Sequence, residues 1–136
     1  IYGVGESFRR HQPFLYTIID KAESNEEIVF FGSNDAKRNL IHAEDVADII
    51  GRVVQQRVEG LYACPSPVNV RYSEIAAAAI AAFGSASTVR HMPEMPDIPD
   101  NDFAPDDRLY RRIGYFPRIS LASGIAKEAK RRTRQP

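Results

Sequence analysis

Short apolar runs and longer amphipathic stretches alternate along this chain. Residues 28–31 are four apolar residues closed by Gly32, which is typical of a buried strand ending in a turn. In residues 46–54 the apolar positions recur at helical spacing, so one face of a helix is apolar. Glu44 and Asp45 place negative charge where that helix begins, as its macrodipole favours. The pattern predicts a strand, a turn and a helix in succession.

Further helices and short strands are predicted on both sides of this stretch. Four more helices are predicted to begin at Pro13, Ser73, Asp106 and Ser120, with Gly84 and Gly114 closing two of them. The other predicted strands are residues 1–2, 40–41, 61–64 and 88–92, and residues 6–12 and 93–105 are predicted loops. The expected fold class is α/β: a small mixed arrangement with four or five helices and several short strands, not one continuous sheet.

Composition narrows the function classes. The chain has 136 residues, enough for about one domain, and 18 basic residues balance 18 acidic ones. Nothing in this balance favours nucleic acid or a membrane as a partner. Cys64 is the only cysteine, so no internal disulfide forms, and a cytoplasmic setting with an inert buried thiol is expected. The three histidines show no metal-ligand spacing.

Arg38 is the strongest candidate site residue. It lies in a turn between two predicted strands, just before a helix, where a guanidinium can be presented to an anion. The alternative is a surface ion pair with Asp35 or Glu44. His42 is expected to be a hydrogen-bonded structural residue, and Asp45 a helix-start residue rather than an acid catalyst.

The order of several short motifs resembles the extended short-chain dehydrogenase/reductase family, the NAD-dependent sugar epimerases and dehydratases. An aromatic-Gly turn at Phe31 and Gly32 is followed by Arg-Asn-Leu-Ile-His-Ala-Glu-Asp-Val at residues 38–46. Asn39 replaces the family's usual Asp, and Ala43 its usual Val. Further similar motifs are Ile-Tyr-Gly at 1–3, Gly-Leu-Tyr at 60–62, Ser-Glu-Ile-Ala at 73–76, Ile-Gly-Tyr-Phe-Pro at 113–117 and Leu-Ala-Ser-Gly-Ile at 121–125.

This resemblance implies that residues 1–136 are the C-terminal substrate-binding part of an NAD(P)-dependent epimerase, dehydratase or reductase. It implies that Arg38 contacts the diphosphate of a nucleotide-sugar, and that Phe31 and Gly32 lie beside its base. For Phe31, plain core packing is the alternative. The implied partners are a sugar or nucleotide-sugar substrate, an N-terminal Rossmann half absent from this chain, and a second copy in a homodimer.

Two parts of the family's chemistry are not found in this sequence. None of the six tyrosines is followed four positions later by lysine, so no Tyr-x-x-x-Lys pair is present. The Gly-Val-Gly of residues 3–5 lacks a third glycine and an apolar helix, so an ordinary turn is expected there. No catalytic or cofactor-binding residue is therefore predicted, and the chain alone is expected to be inactive and to bind neither NAD nor NADP. Phe8, Phe14 and Phe30 are predicted on the flank that a cofactor domain would cover.

The predicted loop at residues 93–105 departs from the nucleotide-sugar enzymes. Many of those bring a second arginine to the diphosphate from this loop, whereas here it carries Glu94, Asp97, Asp100 and Asp102 and no arginine. Such carboxylates repel a diphosphate unless the loop points away. Two other functions stay open: a non-catalytic relative used for binding or regulation, and a stand-alone α/β interaction domain.

Overall fold

A computed structural model describes residues 1–134. The elements in chain order are α1 (Glu6–His11), α2 (Pro13–Glu23), β1 (Ile28–Phe31), β2 (Lys37–Asn39), α3 (Ala43–Gln55), β3 (Asn69–Arg71), α4 (Tyr72–Phe83), β4 (Val89–Met92), α5 (Arg108–Ile113) and α6 (Leu121–Arg132). Helices and short strands alternate, so the predicted mixed α/β class is confirmed.

The strands form two separate two-stranded sheets. β1 and β4 are parallel, with Ile28 opposite Val89, and β2 and β3 are antiparallel, with Arg38 opposite Val70. The absence of one continuous sheet in the described residues agrees with the short apolar runs. Helices supply most of the core instead.

The larger core lies where α4 packs against both α2 and α6. Its fully buried side chains include Leu15 and Ile19 on α2, Ile75 and Ala79 on α4, and Ile125 on α6. The small alanines of α4 let the neighbouring helices approach closely. A second cluster joins α3 to α5 through Ile41, Ile49, Leu109, Ile113 and Tyr115.

Most predicted helix ends are found where expected. Gly84 and Gly114 end α4 and α5 in the left-handed conformation, with φ of 58° and 63°. The Ser120 hydroxyl accepts a hydrogen bond from Ser123 N at the start of α6. Ser73, however, does not cap α4: the helix begins at Tyr72, and Glu74 accepts from Arg71 N at 2.7 Å.

The structure corrects the predicted strands and one loop. Residues 6–11 are helix α1 instead of loop, which gives six helices in residues 1–134. Its acidic start at Glu6 and basic end at Arg9, Arg10 and His11 suit the helix macrodipole. Residues 61–64 form no strand because no described strand lies beside them, while β2 and β3 form from polar residues that pair with each other.

The predicted aromatic flank is also wrong in part. Phe30 is only 3% exposed, because it points into the core between α2 and α4. Phe8 and Phe14 are half-buried against the same core. Among the large apolar side chains left exposed are Ile50, Val54 and Leu61, with Leu61 97% exposed.

Candidate substrate-binding site

Arg38 is held in the middle of β2 by strand pairing on one side and a returning segment on the other. It lies opposite Val70 of β3, and a backbone bridge joins it to Asn101. Its Nη1 donates to the carbonyl oxygens of Lys37 and Pro99, both at 3.1 Å. The guanidinium position is therefore determined by backbone atoms.

Two aromatic rings flank the Arg38 guanidinium. Its central carbon lies 5.1 Å from the centre of the Tyr72 ring and 6.0 Å from that of Phe14. These rings are 4.3 Å apart and tilted by 34°. Burial raises the pKa of Tyr72, and the positive charge of Arg38 opposes that rise. An arginine supported by ring faces keeps its outer N–H groups available for a planar anion.

No carboxylate forms an ion pair with Arg38 in the part of the chain that the structure describes. Asp35 instead accepts from Ser73, at 3.0 Å from the backbone N–H and 2.6 Å from the hydroxyl. Glu44 pairs with Lys127 on α6. Neither ion pair proposed for Arg38 as the alternative is present, so its charge is not balanced by a neighbouring carboxylate.

Phe31 and Gly32 lie at the end of β1. The strand alternates inward and outward residues, so Phe30 is buried and Phe31 is 47% exposed. The core-packing alternative for Phe31 is therefore not what the structure shows. Gly32 has φ of 82°, and a Cβ there would lie 2.4 Å from an Asp97 oxygen. Only glycine fits between this turn and the segment that covers it.

That covering segment is residues 97–103, which we call the strap. Asp97 Oδ1 accepts from the backbone N–H of Ser33 at 2.6 Å and of Asn34 at 3.3 Å. Asn34 also donates to the Ile98 carbonyl at 2.6 Å. The strap is thus hydrogen-bonded directly to the turn after Gly32, so the acidic loop does not point away from the predicted site.

The two other carboxylates of the strap each have a partner at Lys37. Asp100 accepts from Lys37 N at 2.8 Å, and Asp102 lies 3.9 Å from Lys37 Nζ. Each carboxylate is partly neutralised by an N–H group or a lysine, which reduces the repulsion that it exerts on a bound anion.

A cavity of about 410 Å³ lies beside this site. Leu40, two residues beyond Arg38, and Val70, its strand partner, contribute to its wall, and the opposite wall includes Ser120 and Leu121 at the start of α6. The lining is mostly apolar. Arg38, Phe31 and Gly32 do not line this cavity, so their contact with a substrate stays a prediction.

His42 and Asp45 have structural partners. His42 Nδ1 accepts from Glu44 N at 3.2 Å and caps α3, and burial lowers the pKa of His42. Burial by itself would raise the pKa of Asp45, but hydrogen bonds from Arg118 N, Ile119 N and the Tyr115 hydroxyl outweigh it and hold that pKa below its ordinary value. The structural roles expected for both residues agree with this geometry.

Cys64 is half-buried instead of fully buried, with its Sγ 3.6 Å from the Tyr110 hydroxyl.

The glycines of the turn at residues 3–5 have partners within the chain. Gly5 N donates to the Glu128 carboxylate at 3.0 Å, so this donor already has an anion. A Cβ at Gly3 would lie 2.7 Å from the Phe8 ring, which shows that the first glycine serves packing. A pyrophosphate needs open backbone N–H groups, and the Gly5 N–H is not one of them.

Three contributors to the site were missed from the sequence. Tyr72 reaches Arg38 because β3 pairs with β2, and β3 has no apolar pattern that predicts a strand. Phe14 approaches from α2, and Asp97 approaches from a segment read only as an exposed acidic loop. Such contacts between distant segments leave no local signal.

A family model matches the first part of this chain. The model of the NAD dependent epimerase/dehydratase family matches residues 1–64, just under half of the chain. A search of curated proteins finds no match. No helix in residues 1–134 is long and apolar enough to cross a membrane.

Solved structures extend the likeness over nearly the whole chain. A UDP-glucose 4-epimerase shares 19% identity and a TM-score of 0.77, over 98% of this chain and 44% of its own. UDP-N-acetylglucosamine 4-epimerase from Bacillus cereus is 17% identical with a TM-score of 0.74, and the match covers 95% of this chain and 42% of that protein. A GDP-mannoheptose C4 reductase from Campylobacter jejuni, with NADP bound, is 14% identical with a TM-score of 0.69. This match covers 88% of the present chain and 44% of the reductase.

The chain spans less than half the length of these structures. At such identities they establish the fold, while the family model identifies the first 64 residues by sequence. Both findings agree with the resemblance seen in the motifs: residues 1–64 match the model of the NAD dependent epimerase/dehydratase family, and nearly the whole chain shares the fold of these epimerases and reductases.

Proposed function

We propose that this chain is the substrate-binding part of an NAD(P)-dependent epimerase, dehydratase or reductase that acts on a sugar or nucleotide-sugar. The observation that carries this proposal is the Arg38 guanidinium, which rests on aromatic rings and has no carboxylate partner within residues 1–134. A charge placed in this way suits the phosphate oxygens of a nucleotide-sugar.

Phe31 and Gly32 complete the proposed contact. Phe31 offers an exposed ring face to a base, and Gly32 lets the strap lie close to the turn. The solved structures with similar folds include enzymes named for UDP-sugars and a GDP-sugar, which supports this substrate class.

Hydride chemistry would come from NAD or NADP bound by another part of the complete protein, together with a Tyr-Lys pair. This chain would bind and orient the substrate beside that part. A complete sequence without the Tyr-x-x-x-Lys pair would instead favour the non-catalytic relative.

The test is Arg38→Ala in the complete protein. We expect KM for the nucleotide-sugar to rise about tenfold to a hundredfold, because a charge-assisted contact is worth roughly 1.5–3 kcal/mol. Arg90→Ala is the matched control, since Arg90 pairs with Glu27 at the surface. An unchanged KM, with thermal unfolding unaltered, would refute the proposed contact between Arg38 and the substrate.

A further inference from the structure

Two arginines of this chain contact a single tyrosine ring away from Arg38. The central guanidinium carbons of Arg52, on α3, and Arg118, before α6, lie 4.8 and 4.9 Å from the centre of the Tyr115 ring. Tyr115 is only 3% exposed, and its hydroxyl donates to Asp45 at 2.8 Å and Asp48 at 3.0 Å. The ring is thus a fixed support for both guanidinium groups.

Neither guanidinium has a carboxylate within ion-pair distance, and neither donates a hydrogen bond, in the described residues. Asp45 is committed to Arg118 N, Ile119 N and Tyr115. Asp48 accepts from Tyr115 through Oδ2. Both guanidinium groups therefore keep N–H donors that can bind an added anion.

The same residues enclose space for such an anion. A cavity of about 380 Å³ is lined by both arginines together with Asp48, Gln55 and Gly51. Gly51 lies inside α3, where glycine weakens a helix, yet a Cβ there would meet no atom within 4 Å. Packing does not require this glycine, and its lack of a side chain leaves the cavity floor open.

We propose that this cavity binds a phosphate ester of a small polyhydroxylated metabolite, such as a sugar phosphate. Planar guanidinium groups match phosphate oxygens in a bidentate way, and ring support fixes their orientation. A phosphate dianion balances two arginines, while the second oxygen of Asp48 accepts a hydrogen bond from a ligand hydroxyl. None of these residues belongs to the proposed site at Arg38, so this inference does not depend on it.

The test follows the Nε–Hε signals of Arg52 and Arg118 by NMR while glucose 6-phosphate, inorganic phosphate or glucose is added to the chain. Saturable shifts are expected with both phosphate probes, with tighter binding of the ester, and none with glucose. The absence of a saturable shift at these two arginines up to about 50 mM of either phosphate probe would overturn the proposal.

Substitutions distinguish binding in this cavity from nonspecific attraction of phosphate to basic side chains. Arg52→Gln and Arg118→Gln should each weaken binding of glucose 6-phosphate about tenfold. Arg10→Gln, on exposed α1 and outside the cavity, is the matched control and should change nothing. An equal loss in all three variants would show nonspecific attraction and refute the site.

Asp48→Asn tests the hydroxyl contact. The variant should bind inorganic phosphate more tightly, because a negative charge is removed, and should lose part of the preference for the ester. Equal affinity of the unmodified chain for inorganic phosphate and for glucose 6-phosphate would refute the role given to Asp48.

Discussion

Asn39 shows how one amide group fastens two segments near the candidate site. Its Nδ2 donates to the Ser66 carbonyl at 3.0 Å and to Asn69 Oδ1 at 2.8 Å, and its Oδ1 accepts from Ser66 N at 2.7 Å. The family's usual Asp can accept from Ser66 N but cannot donate to the other two atoms. The asparagine that departs from the family motif thus makes three hydrogen bonds, to Ser66 and Asn69.

Asn39→Asp should lower the free energy of unfolding by about 1–3 kcal/mol, because it places a carboxylate against two acceptors. Urea unfolding at pH 7 measures this. Asn25→Asp is the control, since Asn25 Oδ1 only accepts, from Ala86 N and Ser85 Oγ, and an aspartate does the same. Equal stability of Asn39→Asp and the unmodified chain would contradict the assigned donor role.

Glu128 makes stability depend on pH. Burial by itself would raise the pKa of Glu128, but hydrogen bonds from Arg131, Arg132 and Gly5 N outweigh burial and lower that pKa to about 2. A carboxyl whose pKa is lower in the folded state stabilises the fold above its unfolded pKa, here 4.5, and loses that contribution as pH falls towards 2.

The free energy of unfolding should therefore decrease by up to about 3 kcal/mol from Glu128 between pH 5 and pH 2. Denaturant unfolding at a series of pH values measures the slope. Glu128→Gln should be less stable at pH 7 and should show a shallower slope over the same interval. An unchanged slope in this variant would remove Glu128 as the cause.

For single residues, the local sequence predicted the role of a side chain more readily than it predicted the side chain's hydrogen-bond partners. His42, between Ile41 and Ala43, and Asp45, at a helix start, were expected to have structural roles, and the cap of α3 and three hydrogen bonds to Asp45 agree with this. Asp45, however, binds Arg118 N and Ile119 N, which lie 73 and 74 positions away. Such partners depend on tertiary packing, which no local pattern encodes.

Among the elements, α3 offers a direct test of a glycine inside a helix. Gly51→Ala should raise the free energy of unfolding by about 0.5–1 kcal/mol, because alanine loses less backbone entropy and its Cβ meets no atom within 4 Å. Thermal unfolding measures the gain. Gly124→Ala is the contrasting variant: its Cβ would lie 2.3 Å from the Tyr2 hydroxyl, so it should destabilise. A destabilised Gly51→Ala would show contacts at α3 that this structure does not contain.

Helices were predicted better than strands for a physical reason. A helix satisfies its hydrogen bonds within one segment, so caps and apolar spacing suffice to locate α2, α3 and α6. A three-residue strand depends on its neighbour: β3 forms because β2 lies beside it, and residues 61–64 form no strand without one. The candidate site shows the same difference. Arg38 was predicted from its local motif, whereas the contact with Tyr72, which depends on strand pairing, was not predicted.

For the whole molecule, we expect titration calorimetry to detect no binding of NAD or NADP by this chain. Gly5 N is already bonded to Glu128, and the sequence has no Tyr-x-x-x-Lys pair. UDP serves as the parallel titrant, because it should bind at Arg38. Micromolar binding of NAD or NADP would contradict the assignment of these residues to substrate binding alone.

We also predict that the isolated chain self-associates. The apolar side chains that drive this are Ile50, Val54 and Leu61, rather than the buried Phe30. Light scattering over a concentration series measures the effect, and Val54→Lys on the exposed face of α3 should reduce it. A monomer at all concentrations would favour a stand-alone domain.

The parallel pairing of β1 with β4 has a consequence for how the chain folds. Glu27, just before β1, and Arg90, within β4, are joined by a hydrogen bond across 63 positions. Closing so long a loop costs entropy before any strand contact repays it, whereas helices such as α2 and α4 form from local contacts. We therefore expect this sheet to assemble late, after α2 and α4 have formed, so that closure of the loop between its strands limits the folding rate.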